Sequence, residues 1–354
     1  MKRWIAFTLV LVLACPLFAG CKNEKTPQST KPAAAQPQPT PDDGVLRVLL
    51  LGHSLGNDSS WLVPAVAKNQ GIDNMVFGML YHSGCRLRQH VEYSVSNAKE
   101  YDYRQFDLSK DNTWQIADSQ GAFYNGGTAD STDNLDTQVT MKFAIEQQDW
   151  DIVVLQGGVF EQAGDSSDGK LDVGHIQLIM NYVLDNDIDK TTVPKFAWNQ
   201  TWGIPMDLEL TKETYRNHLL STWNDSQHLF ESICATLQNK IAAEYDFEYI
   251  FPTGTAFWNA RSSYLGDKGM YRDYAHATDF GRVVAAYTWL CVLTEKTMED
   301  MKIETIPGYQ LKKYLPSGLT LTEAEKGILI EAVNNALKKP YELTPSTYTE
   351  TPPQ

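Results

Sequence analysis

The sequence predicts a three-layer α/β/α sandwich built around a five-stranded parallel sheet. A continuous apolar run at 45–51, bounded by Gly44 and Gly52, is typical of a central strand that is buried on both faces. Helical patterns separate this run from the next ones, and strands that alternate with helices indicate a parallel sheet covered by helices on both faces. The further apolar or β-prone runs lie at 75–80, 151–155, 195–198 and 247–251.

Helical patterns occur at about 59–69, 85–98, 131–148, 172–186 and 211–244, and two further helices are predicted near 280–294 and 322–339. Residues 100–130 interrupt the alternation of strands and helices, with Tyr, Asp, Gly and Trp at near-alternating positions. That pattern favours a β-hairpin inserted into the domain.

The N-terminus has the layout of a secretory signal. Two basic residues precede an apolar run over about 4–19, which is too short to span a membrane comfortably. The run ends just before Cys21, and this ending resembles the lipobox of bacterial lipoproteins, in which Cys21 would be acylated after removal of the signal peptide 1–20. An ordinary signal peptide beside an incidental cysteine is the alternative. Because Lys22 rather than Asp follows Cys21, the resemblance implies a lipid anchor in the outer membrane of the bacterial cell envelope.

Composition divides the rest of the chain into three parts. Residues 21–43 are rich in Pro, Gln, Thr and Ala and are predicted to form a disordered linker that begins at the lipidated cysteine. Residues 44–340 contain all the predicted strands and helices, so we expect them to fold as one domain. Residues 341–354 are polar and Pro-rich and are predicted to be a disordered tail.

Charge and cysteine content argue against several classes of function. The chain has 30 basic and 44 acidic residues and a formal net charge of -14, which argues against binding to nucleic acid. Three cysteines, Cys85, Cys234 and Cys291, lie in the predicted domain, and this odd number permits at most one internal disulfide. Because no C-x-x-C or H-E-x-x-H spacing occurs, we expect no metal and no cofactor.

The candidate catalytic residues lie far apart in the chain. Ligands of open α/β sheets bind beyond the carboxyl ends of the strands, and Ser54 follows the first strand at such an end. Ser54 is a candidate nucleophile there, and the alternative role is to cap the next helix. Much later in the chain, Asp273 precedes His276 by three positions, a spacing that lets a carboxylate orient an imidazole as in a Ser-His-Asp triad.

These pieces, in this order, resemble the SGNH hydrolase superfamily, also called GDSL-type esterases, and in particular an uncharacterised branch of bacterial lipoproteins. The resemblance covers about residues 45–295 and implies the flavodoxin-like strand order of that superfamily and a serine esterase mechanism. The matching segments are Gly52-His53-Ser54, Tyr81-His82-Ser83-Gly84-Cys85, Asp149-Trp150-Asp151, Gln200-Thr201-Trp202, Pro252-Thr253-Gly254-Thr255-Ala256, Asn259-Ala260-Arg261 and the stretch from Tyr264 to His276.

The resemblance assigns a role to each matching residue. It implies that Ser54 is the nucleophile, that His276 is the general base and acid, and that Asp273 orients His276. It also implies an oxyanion hole formed by the backbone N–H groups of Ser54 and Gly84. The superfamily has an Asn after the third strand, where this chain has Gln156. The Gln156 amide is either a third oxyanion donor or the partner of a strand-end hydrogen bond.

The function implied by the resemblance is that of a carbohydrate O-acetyl esterase acting on glycans outside the cytoplasm. Trp202, His82 and Tyr81 are the predicted substrate contacts, and a place in the core or on the surface is the alternative for each. There are two alternatives. The chain is a non-catalytic glycan-binding lipoprotein on the same fold, or it is a lipase or thioesterase. We expect a monomer whose partners are a small ester or acylated glycan and the membrane that holds its anchor, with no nucleic acid.

Overall fold

A mixed sheet of nine strands lies at the centre of the residues described by the computed structural model, which are 43–110, 113–125, 136–164, 171–188, 192–207, 209–306 and 318–351. The strands are β1 (Leu46–Gly52), β2 (Met75–Tyr81), β3 (Tyr101–Asp107), β4 (Gln115–Ala117), β5 (Phe123–Asn125), β6 (Gln138–Val139), β7 (Ile152–Leu155), β8 (Lys195–Asn199) and β9 (Tyr249–Phe251). Their order is β5-β4-β3-β2-β1-β7-β8-β9, and β6 pairs with β3.

Five of these strands are parallel neighbours, in the order β2-β1-β7-β8-β9, and they correspond to the five predicted runs. The prediction of a sheet with only five parallel strands is nevertheless wrong. The insertion at 100–130 does not stand apart from the sheet, because β3 pairs antiparallel with β2 and is followed outward by β4 and β5. The physical reason is the outer edge of β2, whose unpaired backbone groups are a template for another strand.

Helices cover both faces of the sheet. They are α1 (Ser54–Ser60), α2 (Val63–Asn69), α3 (Leu87–Ser96), α4 (Met141–Ile145), α5 (Val159–Gln162), α6 (Val173–Asn186), α7 (Glu213–Trp223), α8 (Ser226–Thr236, continued by a π-helical turn Leu237–Ile241 and by Ala242–Glu244), α9 (Thr253–Arg261), α10 (Gly266–Met270), α11 (Asp279–Thr294) and α12 (Glu323–Lys338).

The first helix begins at Ser54, five residues earlier than predicted. The helix predicted at 211–244 is broken at Asn224, which has a φ of 70°, and the Asp225 side chain caps α8. In the described part of the helix predicted at 131–148, β6 precedes the short helix α4.

Side chains of β1 alternate between two cores, one on each face of the sheet. Val48 and Leu50 lie in the cluster that includes residues of α2, α9, α11 and α12. Leu49 and Leu51 lie in the cluster that includes residues of α3, α4 and α6. All four side chains are buried, as the uninterrupted apolar run predicts. The molecule therefore has a helical layer on each side of the sheet, with β1 in the middle.

The chain after α12 packs back onto α9. The Thr344 N–H donates to Asn259 Oδ1 and the Ser346 N–H donates to Ser262 Oγ, both at 2.8 Å. The predicted disordered tail is therefore wrong for residues 341–351. Most residues of this segment are exposed, which accounts for its polar composition, and these two backbone N–H groups fix its path along α9 and the turn after it.

The predicted signal peptide 1–20, Cys21 and the linker up to residue 42 lie outside the described residues. Within the described ranges, no helix has both the length and the apolar character needed to cross a lipid bilayer.

The cysteines of the domain do not form a disulfide. Cys85, Cys234 and Cys291 are buried free thiols. Burial raises the pKa of Cys234 and of Cys291 to about 12, and it raises the pKa of Cys85 as well. All three thiols therefore stay protonated and serve as small apolar core groups.

We predict that Gly78→Ala destabilises the fold. A Cβ at this position in β2 would lie 2.4 Å from Cη2 of Trp150 and 3.1 Å from Leu49, and overpacking of this kind costs about 1–3 kcal/mol. Trp150→Phe removes the clashing ring carbon. Gly78→Ala should therefore lower the free energy of unfolding less in a Trp150→Phe protein than in the wild type. Thermal unfolding of both single variants and the double variant measures the coupling, and equal costs on the two backgrounds would contradict the prediction.

Candidate active site

The loops after β1, β2 and β7 meet at the carboxyl edge of the sheet. Strand β1 lies between β2 and β7, so this edge contains the point where the strand order reverses, which is where open α/β sheets bind ligands. A cavity of about 210 Å³ opens there. Its lining residues are His53, Ser54, Leu55, Gly84, Arg86, Gly158, Val159, Phe160, Glu161, Ile204, Tyr215, Tyr274, Ala275 and His276. The structure thus brings Ser54, Gly84 and His276 to one cavity.

Ser54 is held at the first position of α1 by its neighbour His53. The backbone of His53 is extended, and its Nδ1 accepts a hydrogen bond from the Leu55 N–H, so that His53 caps the helix. Its Nε2 lies 3.0 Å from the Gly157 carbonyl oxygen and donates to it. Burial lowers the pKa of His53 to about 4, which keeps the imidazole neutral in the tautomer that both contacts require. His53 therefore ties the turn of Ser54 to the loop after β7.

Asp273 orients the imidazole of His276. The Nδ1 atom of His276 lies 2.9 Å from each carboxylate oxygen, so Nδ1 carries the proton and Nε2 is left to accept one. The N–H groups of Ala275 and His276 also donate to this carboxylate, at 3.0 and 2.9 Å. Burial acts to raise the pKa of Asp273, but these N–H groups and the imidazole outweigh it, and the pKa lies below its ordinary value. Asp273 therefore stays ionised where an imidazole can act as a base.

Trp202 supports the loop of His276 and does not reach the cavity. Its indole is fully buried and stacks on Phe257 with ring centres 4.6 Å apart. The indole N–H donates to the Ala275 carbonyl oxygen at 2.7 Å. The prediction of Trp202 as a substrate contact is therefore wrong, because the core covers its ring.

Asp58 is a central residue of the site that sequence reasoning missed. It lies one turn after Ser54 in α1 and is fully buried. Its carboxylate accepts hydrogen bonds from Arg272 Nη1 at 3.0 Å, from the Ala277 N–H at 2.9 Å and from Arg282 Nη2 at 2.8 Å. Two guanidinium groups thus share one carboxylate that has no access to water.

These contacts hold the loop of Asp273 and His276 at both ends. Arg272 directly precedes Asp273, and Ala277 directly follows His276. A single side chain on the helix that begins with Ser54 therefore sets the position of the whole Asp-x-x-His loop relative to α1.

The two residues predicted to form the oxyanion hole, Ser54 and Gly84, both line the cavity. Gly84 lines the cavity with a φ of 64°, a left-handed conformation that favours glycine. No backbone carbonyl in the described part of the chain accepts the N–H of Ser54 or of Gly84. Both residues of the predicted oxyanion hole therefore meet at the same cavity, with their N–H groups free of backbone partners.

Gln156 does not reach the cavity. Its side chain is fully buried beneath α1, where a Cβ added at Gly56 would lie 2.5 Å from its Oε1 and one added at Gly52 would lie 3.1 Å away. Both polar atoms of the Gln156 amide are buried without a hydrogen-bond partner among the described residues. The structure therefore contradicts both predicted roles, the third oxyanion donor and the strand-end hydrogen bond.

Glu161 lines the cavity and is another residue that the sequence did not indicate. Its Oε2 accepts the Gly158 N–H at 3.1 Å and the Leu87 N–H at 3.2 Å. Burial raises the pKa of Glu161, and these two N–H groups offset only part of the effect. Glu161 thereby connects the segment that follows β2 to the segment that follows β7. Because the Gly158 N–H donates to Glu161, it is already engaged in a hydrogen bond.

The other two predicted substrate contacts lie outside the cavity. His82 Nδ1 lies 2.6 Å from the Glu100 carbonyl oxygen, and its ring packs against Tyr93. The ring of Tyr81 has the Arg104 guanidinium 5.7 Å from its centre. Both residues are half-buried and neither lines the cavity, so the cavity gives no support to the predicted substrate contacts at His82 and Tyr81.

The aromatic wall of the cavity comes from Phe160, Tyr215 and Tyr274 instead. Tyr215, on α7, stacks on Tyr274 with ring centres 5.1 Å apart and an angle of 2° between the rings. Phe160 stacks on Trp223 of the same helix at 5.7 Å. Helix α7 carries no motif of its own, so only the fold reveals that it borders the site.

A larger depression, of about 760 Å³, lies beside α8, α9 and the C-terminal segment. It includes none of the predicted site residues, and its Arg261 is paired with Asp267 and lies 3.9 Å from the ring centre of Trp258. Among the residues that the structure describes, no three His, Cys, Asp or Glu side chains gather as metal ligands would.

Comparison with known proteins bears on the family and the fold. A sequence profile of DUF4886, a domain of unknown function, matches residues 47–307. None of the curated proteins matches the chain. The crystal structure of a DUF4886 family protein from Bacteroides uniformis is similar at 22% identity and a TM-score of 0.63, with 86% of this chain and 100% of that chain covered. This likeness supports the fold.

Two further solved structures are less similar. A candidate SGNH hydrolase from Slackia heliotrinireducens has 13% identity and a TM-score of 0.41, over 70% of this chain and 99% of that chain. A gut microbial diltiazem-metabolizing enzyme has 12% identity and a TM-score of 0.36, over 71% of this chain and 47% of that chain.

We predict that Asp58→Asn is strongly destabilising. Removing one partner of a buried ion pair costs about 3–5 kcal/mol, and here Arg272 and Arg282 each lose their ion pair with Asp58, while Arg282 keeps its contact with Asp279. Denaturant unfolding measures the loss. Asp43→Asn is the control. Asp43 pairs with Arg47 at the surface, so its loss should change the free energy of unfolding only slightly. Similar unfolding midpoints for the two variants would contradict the prediction.

We also predict that stability falls as the pH is lowered from about 6.5 to about 4. In this window an unfolded histidine binds a proton, whereas buried His53, with its pKa lowered to about 4, does not, so protons favour the unfolded state. His90, with a pKa lowered by burial to about 3, adds to the effect. His53→Asn keeps a helix-capping oxygen but cannot titrate, so its stability should decline less steeply. Urea unfolding titrations at several pH values between about 6.5 and 4 measure the free energy of unfolding. An equal decline in the wild type and in His53→Asn would contradict the prediction.

Proposed function

The chain belongs to the DUF4886 family, and we propose that it is a serine hydrolase that cleaves esters through an acyl-enzyme. The observation that carries this proposal is the position of Ser54 and His276 on one cavity, with Asp273 bound to Nδ1 of the imidazole. A nucleophile, a base and a carboxylate that orients the base are the parts that acyl transfer by serine requires.

In the proposed reaction, Ser54 Oγ attacks the carbonyl carbon of the ester and its proton passes to His276 Nε2. The C–O bond to the alcohol then breaks, and His276 returns the proton to the leaving oxygen. Water attacks the acyl-enzyme with the help of the same base, which releases the carboxylic acid and restores Ser54. The ionised Asp273 stabilises the imidazolium that forms in each half of the reaction.

The oxyanion of each tetrahedral intermediate would be bound by the N–H groups of Ser54 and Gly84. The carboxamide of Gln156 does not contribute, because it is buried beneath α1. One missing donor corresponds to roughly 3 kcal/mol of transition-state stabilisation. We therefore expect modest rates on activated simple esters, with additional binding energy from the natural substrate.

The size of the cavity favours a short acyl group. Its volume of about 210 Å³ is below the roughly 300–1,000 Å³ of sites that enclose a whole small molecule. Such a cavity would hold the reacting part of a substrate, with the remainder outside. An acetyl group on a polysaccharide fits this description better than the long chain of a lipid ester, which would need an extended apolar groove. We therefore propose a carbohydrate O-acetyl esterase.

We further propose that the protein works as a monomer on glycans of the cell envelope and is held in the outer membrane by a lipid on Cys21. The support is the layout of residues 1–22, in which an apolar run ends at a cysteine that is followed by Lys22. A linker over about 22–42 would give the domain reach from the membrane.

We predict that activity depends on the three proposed catalytic residues. Acetate release from 4-nitrophenyl acetate and from acetylated polysaccharide is the measurement, with the full-length chain in mild detergent. Ser54→Ala and His276→Asn should each lower kcat/KM by at least on the order of 10³-fold. Asp273→Asn should lower it by on the order of 10³- to 10⁴-fold, because the imidazole loses the carboxylate that sets its tautomer.

Asp225 and His228 supply a matched control. They have the same spacing, the same N–H contact to the carboxylate and the same 2.9 Å contact at Nδ1, but they lie exposed at the start of α8. His228→Asn should leave the rate unchanged. A Ser54→Ala variant as active as the wild type would refute the serine mechanism. A wild type inert toward all of these esters would favour the glycan-binding alternative.

A further inference from the structure

We infer that Tyr215 recognises the leaving alcohol of the substrate and that this alcohol is a pyranose ring. The inference deepens the proposed function and rests on it, since it requires His276 to act as the general acid. It assigns a role in specificity to a residue outside the proposed catalytic motifs.

The chemistry defines the side of the cavity on which the alcohol must lie. His276 returns a proton to the leaving oxygen, so this oxygen and the carbon skeleton attached to it lie beside the imidazole. Tyr274 flanks the imidazole, with its ring centre 5.9 Å away and its ring nearly perpendicular at 74°. Tyr215 stacks on Tyr274 at 5.1 Å, so the aromatic surface continues outward from His276.

The two stacked rings differ in exposure. Tyr274 is half-buried, with Tyr215 on one face and the Lys212 Nζ 5.9 Å from its ring centre. Tyr215 is 36% exposed and is the most accessible of the three aromatic residues that line the cavity. Because α7 carries Tyr215 and the loop of His276 carries Tyr274, replacing Tyr215 changes no residue of that loop, and the rate on ethyl acetate reports any change in the loop that follows from losing the stacking contact.

A flat exposed ring beside a small cavity fits a substrate with a small acyl group and a large, rigid alcohol. A pyranose has a face of C–H bonds that packs on an aromatic ring, and its hydroxyl groups can bond with a phenol O–H at the edge. A short alkyl alcohol has no such face. Tyr215 should therefore favour a sugar ester over an ethyl ester of the same acid.

The experiment compares kcat and KM of the full-length chain and its Tyr215→Ala variant for an O-acetylated methyl glucopyranoside and for ethyl acetate. Loss of one stacking surface should lower kcat/KM for the sugar ester about 10-fold more than for ethyl acetate, mainly through KM. Tyr215→Phe keeps the ring and should retain most of the preference. Tyr124→Ala removes a tyrosine of similar exposure, 37%, from β5 and should leave the preference unchanged.

Equal losses for both esters, or an unchanged preference in Tyr215→Ala, would overturn the inference while the hydrolase proposal stands. With phenyl acetate as a third substrate, a loss confined to that ester would overturn the sugar assignment in favour of an aromatic alcohol. A wild type that hydrolyses none of these esters would overturn the proposed function itself, and the inference with it.

Discussion

The buried carboxylate of Asp58 is the constraint on which the arrangement of the site depends. It binds a loop N–H that lies 219 positions away in the chain. A carboxylate removed from water is tolerated only when its charge is matched, and Arg272 and Arg282 match it here. Since guanidinium groups bind a carboxylate in few geometries, the loop of His276 takes one position relative to Ser54. Ion pairs in the interior therefore help to align the two halves of the proposed catalytic machinery.

Hydrogen bonds of other buried side chains fix the remaining loops at this edge of the sheet. His53 joins the turn after β1 to Gly157, Glu161 joins the loops after β2 and β7, and Trp202 joins the loop after β8 to that of His276. Each of these groups is costly to leave without its partner, so each contact resists displacement. The lining of the cavity is thus positioned before any substrate arrives, as a site that binds a transition state requires.

The sequence predicted what local patterns encode. Apolar runs and helical periodicity located the five parallel strands. The Asp-x-x-His spacing alone does not identify a site, because it also occurs at Asp172–His175 and Asp225–His228, where the aspartate caps a helix. Contacts across loops have no local signal. Asp58 could not be found because its arginine partners lie 214 and 224 positions away. Gln156 and Trp202 are of residue types that suit a site, but only packing against distant elements decides that they are buried.

The antiparallel extension of the sheet also bears on aggregation. Strand β2 has seven residues and no charge, and as the last of five parallel strands it would offer its backbone to any neighbouring chain. Strand β3 covers it and brings Asp102, Arg104 and Asp107, and the outermost strand on this side among the described residues is β5, which is three residues long. A short edge is a poor template for stacking copies of the protein. The insertion therefore protects β2 from pairing with other copies of the chain. A shortened domain that lacked the insertion would expose β2 as an uncharged segment prone to aggregation.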